Sequence, residues 1–185
     1  LRVGQKSAGA RPGPACYGSG TGATVTDANL VLGRLRPDAF LGGSMTLQPE
    51  RSVRALDGLA RRMGARSAQE AAQGVVDVVE ANMERAIRLI TVERGQDPRG
   101  ATLVAFGGAG SLHACQVAAS LGIGSVLIPP APGLLSARGV LGAPVMHDIS
   151  VALNMARPDY DGLAAKARTL AARAAKAATR DAAGH

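Results

Sequence analysis

The chain has 185 residues, enough for one domain with an appendage, and 46% hydrophobic against 19% charged residues excludes an ordinary disordered polypeptide. A net charge of +7 raises nucleic-acid binding, yet more than half of the surplus sits after Leu163, in Lys166, Arg168, Arg173, Lys176 and Arg180 against Asp181. With two Phe, two Tyr and no Trp for bases to stack on, no nucleic-acid partner is expected. No run approaches the roughly 18 apolar residues of a membrane span and no signal peptide is visible, so a cytoplasmic protein without a membrane partner is expected. Cys16 and Cys115 stand alone, without a CxxC, which excludes a disulfide scaffold or a zinc ribbon and leaves two reduced thiols.

The chain opens on Leu1 rather than Met and enters glycine- and proline-rich sequence at once, which reads as a partial chain. Residues 1–24 (LRVGQKSAGARPGPACYGSGTGAT) form a loop, folded over something or flexible. Thr24 to Leu35 is a short helix, with Thr26 or Asp27 as its N-cap and Gly33 or Pro37 as its stop; residues 1–46 as a whole are loop-rich. From Pro49 to Gly64 the set Val53, Leu56, Leu59, Ala60 and Met63 recurs at threes and fours, with Arg51, Arg54, Arg61 and Arg62 on the wet side. Ser67 with Glu70 is a capping box opening the longest helix, which runs to about Glu93 with Val75, Val76, Val79, Met83, Ile87 and Ile90 buried. Residues 49–95 thus read as a helical pair. Residues 101–128 read as strand (Ala101 to Phe106), glycine turn, helix (Ser111 to Leu121, N-cap Ser111, ended by Gly122) and strand (Ser125 to Ile128). That crossover requires parallel strands and an α/β class. One or two helical turns at Leu134 to Val140 and a strand at Val145 to Leu153 follow, and residues 151–185 are an Ala-rich basic tail helix, frayed or dependent on a partner.

The turn Gly107, Gly108, Ala109, Gly110 carries the clearest chemistry. Without Cβ atoms a ligand can approach main chain, and the next helix offers unpaired N–H groups and a positive dipole end. A nucleotide could lie there; so could nothing, in a tight strand-to-helix turn. The turn is neither GxGxxG nor a P-loop. Asp27 with Asn29 orients a ligand or caps a helix. His113 and Cys115 point about 200° apart on their helix, poor geometry for one metal ion, so His113 reads as a hydrogen-bonded support and Cys115 as buried packing. His147 and Asp148, adjacent on a strand, face opposite ways. Cys16 lacks the partners of a nucleophile.

Ser7 to Gly20 (SAGARPGPACYGSG), Val25 to Leu35 (VTDANLVLGRL), Phe40 to Met45 (FLGGSM), Ala81 to Gly100 (ANMERAIRLITVERGQDPRG), Leu103 to Ala114 (LVAFGGAGSLHA) and Pro129 to Leu141 (PPAPGLLSARGVL) together resemble the hydantoinase A family. That family includes the A-type component of N-methylhydantoinases, ATP-dependent 5-oxoprolinases and the related acetone carboxylase subunits. The resemblance covers residues 1–150 and implies the C-terminal portion of an ATPase domain of actin-like fold, in its second lobe. It further implies that Gly107, Gly108, Ala109 and Gly110 wrap the adenosine of ATP, with Asp27, Asn29 and His113 as further candidates, and that Mg or another divalent cation is used. The implied reaction is hydrolysis of a cyclic amide or imide after phosphoryl transfer to the ring carbonyl, in a hetero-oligomer with a second, B-type subunit. The alternatives are an acetone-carboxylase-like subunit or a catalytically silent assembly module. The family's Asp-x-Gly-Gly-Thr phosphate loops are absent from the sequence and are expected upstream of Leu1, so the chain alone is expected to be inactive. Two residues depart from the family pattern: Ser111 stands where Pro is usual, and Arg11 reverses the charge of the usual Asp.

Overall fold

Pro49 pre-sets the first helical φ, Glu50 sits in the positive first turn, Arg61 and Arg62 sit in the last, and Gly64 stops the helix at φ +73°; these signals bound α2, Pro49–Met63. In a computed structural model, which describes residues 3, 4, 7–144, 146, 148–152 and 160–182, α2 packs with α1, Val25–Val31, and α3, Ala68–Ile90. The three share a core of Ala28, Leu56, Ala60, Ala68, Ala71, Ala72, Val75 and Val76. The expected helical pair is therefore a trio, because the short α1 lies against both long helices.

The ends of these helices correct several expectations. Thr24, not Thr26 or Asp27, caps α1: its side chain accepts from the Asp27 amide while the Asp27 carboxylate accepts from the Thr24 amide. Ser67 caps α3 by accepting from the Glu70 amide at 3.1 Å, but Glu70 turns its carboxylate to the Arg66 amide, so the box closes on one side only. Helix α3 ends at Ile90, followed by a 3-10 turn, Val92–Arg94, and Gly95 at φ +75°. Ile90, expected inside, is 58% exposed.

The other face of the chain's larger unit, Leu1–Leu135, is the strand-helix-strand segment. Strands β1, Thr102–Val104, and β2, Ser125–Leu127, pair in parallel with Thr102 opposite Ser125 and Val104 opposite Leu127. Between them runs α4, Ser111–Leu121. Both strands are shorter than the apolar runs that announced them. Gly110, in αR conformation and with no side chain, occupies the N-cap position in place of Ser111, which is the first helical residue. Gly122 ends α4 at φ +70°, as its place predicts. Val117, Ala118, Leu121 and Ile123 form the second core, against Met83 and Ile87 of α3 and Leu103 and Val126 of the sheet. The chain is thus α/β, mostly helical, with a small parallel sheet.

The second unit, Ser136–His185, holds most of α5, Leu135–Gly142, and the whole of α6, Tyr160–Ala182. Met146 and residues 148–152 carry no strand; Val145, His147 and Leu153, the rest of the expected strand, lie outside the described residues. Lys166, Arg168, Arg173, Lys176 and Arg180 are exposed along α6. No helix among the described residues is long and apolar enough to cross a membrane.

Candidate functional site

Asp27 organises the glycine-rich N-terminal loop. Its carboxylate is fully buried and accepts five hydrogen bonds: from the amides of Ala15 (3.1 Å), Cys16 (2.9 Å) and Thr24 (3.0 Å), and from the hydroxyls of Thr24 (2.7 Å) and Ser52 (2.6 Å). Burial alone would push the Asp27 carboxyl up, but the bonds from Ser52, Thr24 and the Cys16 and Ala15 amides outweigh it and hold it below the ordinary carboxylate range. Arg51, expected on the wet side of its helix, instead donates to the carbonyls of Ala15 (3.0 Å) and Gly20 (3.1 Å). Loop residues 13–20 are thus clamped from both sides, and a Cβ at Gly20 would overlap the carbonyls of Gly13 and Pro14. Asp27 is thus the N3 partner in the Thr24 capping box and at the same time a tertiary anchor of the loop, with both oxygens occupied.

Cys16 lies fully buried in the same cluster. Burial first, then the Asp27 charge, push its thiol up to about 12, the reverse of what activates a nucleophile. Cys115 is exposed rather than buried, because two positions beyond His113 on α4 is the opposite face.

The glycine turn leaves β1 and enters α4. Gly107 has φ +97°, a conformation that favours glycine, and its amide donates to the Pro132 carbonyl at 2.9 Å. Gly110 is closely packed: a Cβ there would come within 2.9 Å of the Phe106 carbonyl oxygen. Around Gly107 and Gly108, by contrast, a Cβ would meet nothing within 4 Å. Among the described residues the Gly108, Ala109 and Gly110 amides have no hydrogen-bond acceptor. They are unpaired main-chain donors. Beside the turn an apolar hollow of about 310 Å³ opens between α3, β1 and α4, with Met83, Ile87, Phe106, Gly110 and His113 on its wall.

A buried polar chain reaches this hollow from the far side. Arg34 donates to Glu80 Oε1 at 2.7 Å, His113 Nδ1 lies 3.0 Å from the same oxygen, and His113 Nε2 lies 3.4 Å from Asn29 Nδ2. Asn29 Nδ2 also donates to the Val25 carbonyl at 3.0 Å, and Asn29 Oδ1 is buried without a partner among the described residues. The structure so brings Asn29 and His113 together, while Asp27, about half a turn away on α1, serves a different cluster. Glu80, Arg34, Ser52 and Arg51 were not singled out from the sequence. For Glu80 a signal was available: it stands on the stripe Val76, Met83, Ile87, where a charge interrupts an apolar face. His147 lies outside the described residues, so its pairing with Asp148 has no geometry here.

These parts sit in the order that known proteins share. Residues 1–149 match the family model described as hydantoinase/oxoprolinase. The chain is 40% identical over 161 residues to the alpha subunit of caprolactamase from Pseudomonas jessenii, covering 86% of this chain and 23% of that one. It is 40% identical over 164 residues to 5-oxoprolinase 1 of Arabidopsis thaliana, covering 80% and 13%. The solved structure of the ATP-dependent caprolactamase from Pseudomonas jessenii superposes with a TM-score of 0.68 at 40% identity, over 77% of this chain and 21% of that one. Nucleotide-free acetone carboxylase superposes with the same score at 30% identity, over 87% and 24%. The chain spans a quarter or less of the length of each of these relatives. With the match running through the Asp27 loop, all three core helices and the glycine turn, the chain belongs to the hydantoinase/oxoprolinase family.

Proposed function

We propose that this chain is the C-terminal part of the ATPase domain of an enzyme that opens cyclic amides, with Gly107, Gly108, Ala109 and Gly110 lying against the adenosine. In this reading residues 1–150 belong to the second lobe of an actin-like fold and 151–185 form an appended basic helix. The observation that carries it is the turn itself. Its unpaired amides, its lack of side chains at Gly107 and Gly108, and the apolar hollow beside it suit a ligand with a flat apolar base and polar edges. The relatives' names, an ATP-dependent caprolactamase and a 5-oxoprolinase, support ATP and a ring amide as the reactants.

A ring amide is stabilised by resonance, and ATP bound here would supply a phosphoryl group to its carbonyl oxygen, which would make the carbon electrophilic enough for water to add and for the ring C–N bond to break with the nitrogen leaving as an amine, phosphate being released by hydrolysis. This chain's own part is positional: the Gly108 to Gly110 amides donate to the ligand, the α4 dipole favours its negative end, and Phe106 with Met83 and Ile87 keeps water from its apolar face. Asn29 and His113 support this arrangement from inside the protein, and Asp27 holds the N-terminal loop. No three His, Cys, Asp or Glu side chains converge among the described residues. Without phosphate loops of its own, the chain works with the rest of a longer polypeptide and with a second subunit, as the names of the caprolactamase and acetophenone carboxylase subunits suggest.

The test is to express the full reading frame together with its neighbouring B-type partner and measure ATP hydrolysis stimulated by caprolactam, 5-oxoproline, hydantoin or acetone. Stimulation by a lactam or imide supports the proposal. Stimulation by acetone alone moves it to a carboxylase, and no stimulation by any of them overturns it.

A further inference from the structure

We infer that His113 is a positioning residue for the glycine turn, acting through its buried hydrogen bond to Glu80; the inference rests on reading that turn as the nucleotide's seat. His113 lies in the first turn of α4, and its amide donates to the Gly110 carbonyl at 3.2 Å. Gly110 in turn is packed against the Phe106 carbonyl, and Gly107 is tied to Pro132. Whatever fixes His113 therefore fixes the α4 end of the 107–110 bend and, through the close approach of Gly110 to the Phe106 carbonyl, bears on its β1 end.

The ring itself is held from two other helices. Only 1% of His113 is exposed. On one side stands Glu80 of α3, whose Oε1 also accepts from Arg34. On the other stands Asn29 of α1, whose amide nitrogen is already committed to the Val25 carbonyl. That carbonyl fixes the orientation of the Asn29 amide, so a second N–H points at the imidazole. The hydrogen-bond pattern thus puts His113 Nδ1 on the Glu80 carboxylate as a donor and turns Nε2 toward the Asn29 N–H. The two contacts are unequal. The 3.0 Å bond to an ionised carboxylate is the stronger kind, whereas 3.4 Å between neutral groups lies at the limit of a hydrogen bond.

A packing role alone does not call for this arrangement. A leucine would fill the same space without burying two ring nitrogens, and buried polar groups are costly unless they are bonded and fix something. What this chain of bonds fixes is the register of α4 against α1 and α3, at the end of α4 that carries the turn.

Two substitutions separate its two contacts. In His113→Asn the amide nitrogen takes the place of Nδ1 and still donates to Glu80. In His113→Gln the polar atoms take the place of Nε2, so the Asn29 contact survives and the Glu80 bond is lost. In the complex expressed from the full reading frame with its B-type partner, H113Q is expected to raise the KM for ATP about tenfold with kcat changed less than about threefold, while H113N stays near wild type. Hydrogen exchange supplies a readout that needs no turnover: the Gly107 and Leu112 amides, bonded to Pro132 and Ala109, exchange about tenfold faster in H113Q than in H113N. Equal exchange in the two variants overturns the inference. So does a loss that falls on thermal stability alike in both. If the exchange contrast holds while wild type shows no substrate-stimulated ATP turnover, it is the nucleotide reading that fails, and the inference falls with it as a statement about ATP.

Discussion

Replacing Asp27 by Asn tests the architecture where it is most concentrated. Oδ1 accepts from Cys16 and Ser52, and Oδ2 from Ala15 and both donors of Thr24. The best an asparagine can do is keep its oxygen at the Oδ2 site and turn its amide toward the Ser52 hydroxyl, which can rotate to accept. The Cys16 amide is then buried against another donor, at about 1–3 kcal/mol, and three surviving bonds lose their charge assistance, for a total of about 3–5 kcal/mol. Urea unfolding followed by circular dichroism at pH 7 measures this directly. The pH dependence checks the sign. The native carboxyl lies below its ordinary range, so its contribution is complete above the unfolded-state value of about 3.9 and is lost as pH falls through the lowered native value. Wild type and D27N should therefore converge in acid and stay apart at neutral pH. A D27N protein within about 1 kcal/mol of wild type at pH 7, or a gap that widens in acid, refutes the assignment of an ionised, five-bonded carboxylate.

Other outcomes follow from the same geometry. Gly20→Ala forces a Cβ onto the carbonyls of Gly13 and Pro14 and should lower the thermal midpoint by an amount equivalent to about 2 kcal/mol or more; a midpoint equal to wild type would show that the loop is slack there. Ser52→Ala removes the 2.6 Å donor to Asp27 and should cost about 1–3 kcal/mol in the same unfolding assay. With a thiol reagent under native conditions, exposed Cys115 should react at once and Cys16, buried and with its thiol at about 12, only on unfolding; two fast thiols contradict the buried cluster. Gly110→Ala, whose Cβ meets the Phe106 carbonyl oxygen at 2.9 Å, should weaken ATP binding by the intact complex about tenfold in a calorimetric titration, and unchanged affinity would separate the turn from the nucleotide.

Local chemistry was the legible part of this sequence. The Ser67 start of α3 and the glycine stops at 64 and 122 act over one helical turn, and each stands where its spacing puts it; in α2 the spacing places Leu56 and Ala60 inside, while Val53 and Met63, from the same set, are exposed. What reading along the chain misses is tertiary. Ser52 and Arg51 look like ordinary solvent-side residues of an amphipathic helix; their partners, Asp27, Ala15 and Gly20, lie 25 to 36 residues away. Asp27 was visible as a capping residue, but a cap uses one or two bonds and nothing local announces the other three. His113 was visible as a support because its angle to Cys115 on α4 rules out a shared metal ion. The identity of its supporter, Glu80, required weighing a charge on a buried stripe as a signal rather than an interruption. Cys115 was misplaced because composition makes cysteine a core residue, while its angle on α4 turns it outward.

The methyl-lined seam between the three N-terminal helices has a consequence for anyone wishing to harden the protein. Ala28, Ala60, Ala68, Ala71 and Ala72 let the helix backbones come near one another, so attraction there is spread thinly over many short contacts rather than lodged in a few bulky anchors. One added methylene at Ala71 or Ala72, both without any solvent exposure, would wedge the trio apart. Improvement has to come from helix ends and surface charge, such as a lysine in the last turn of α4, which has no basic residue.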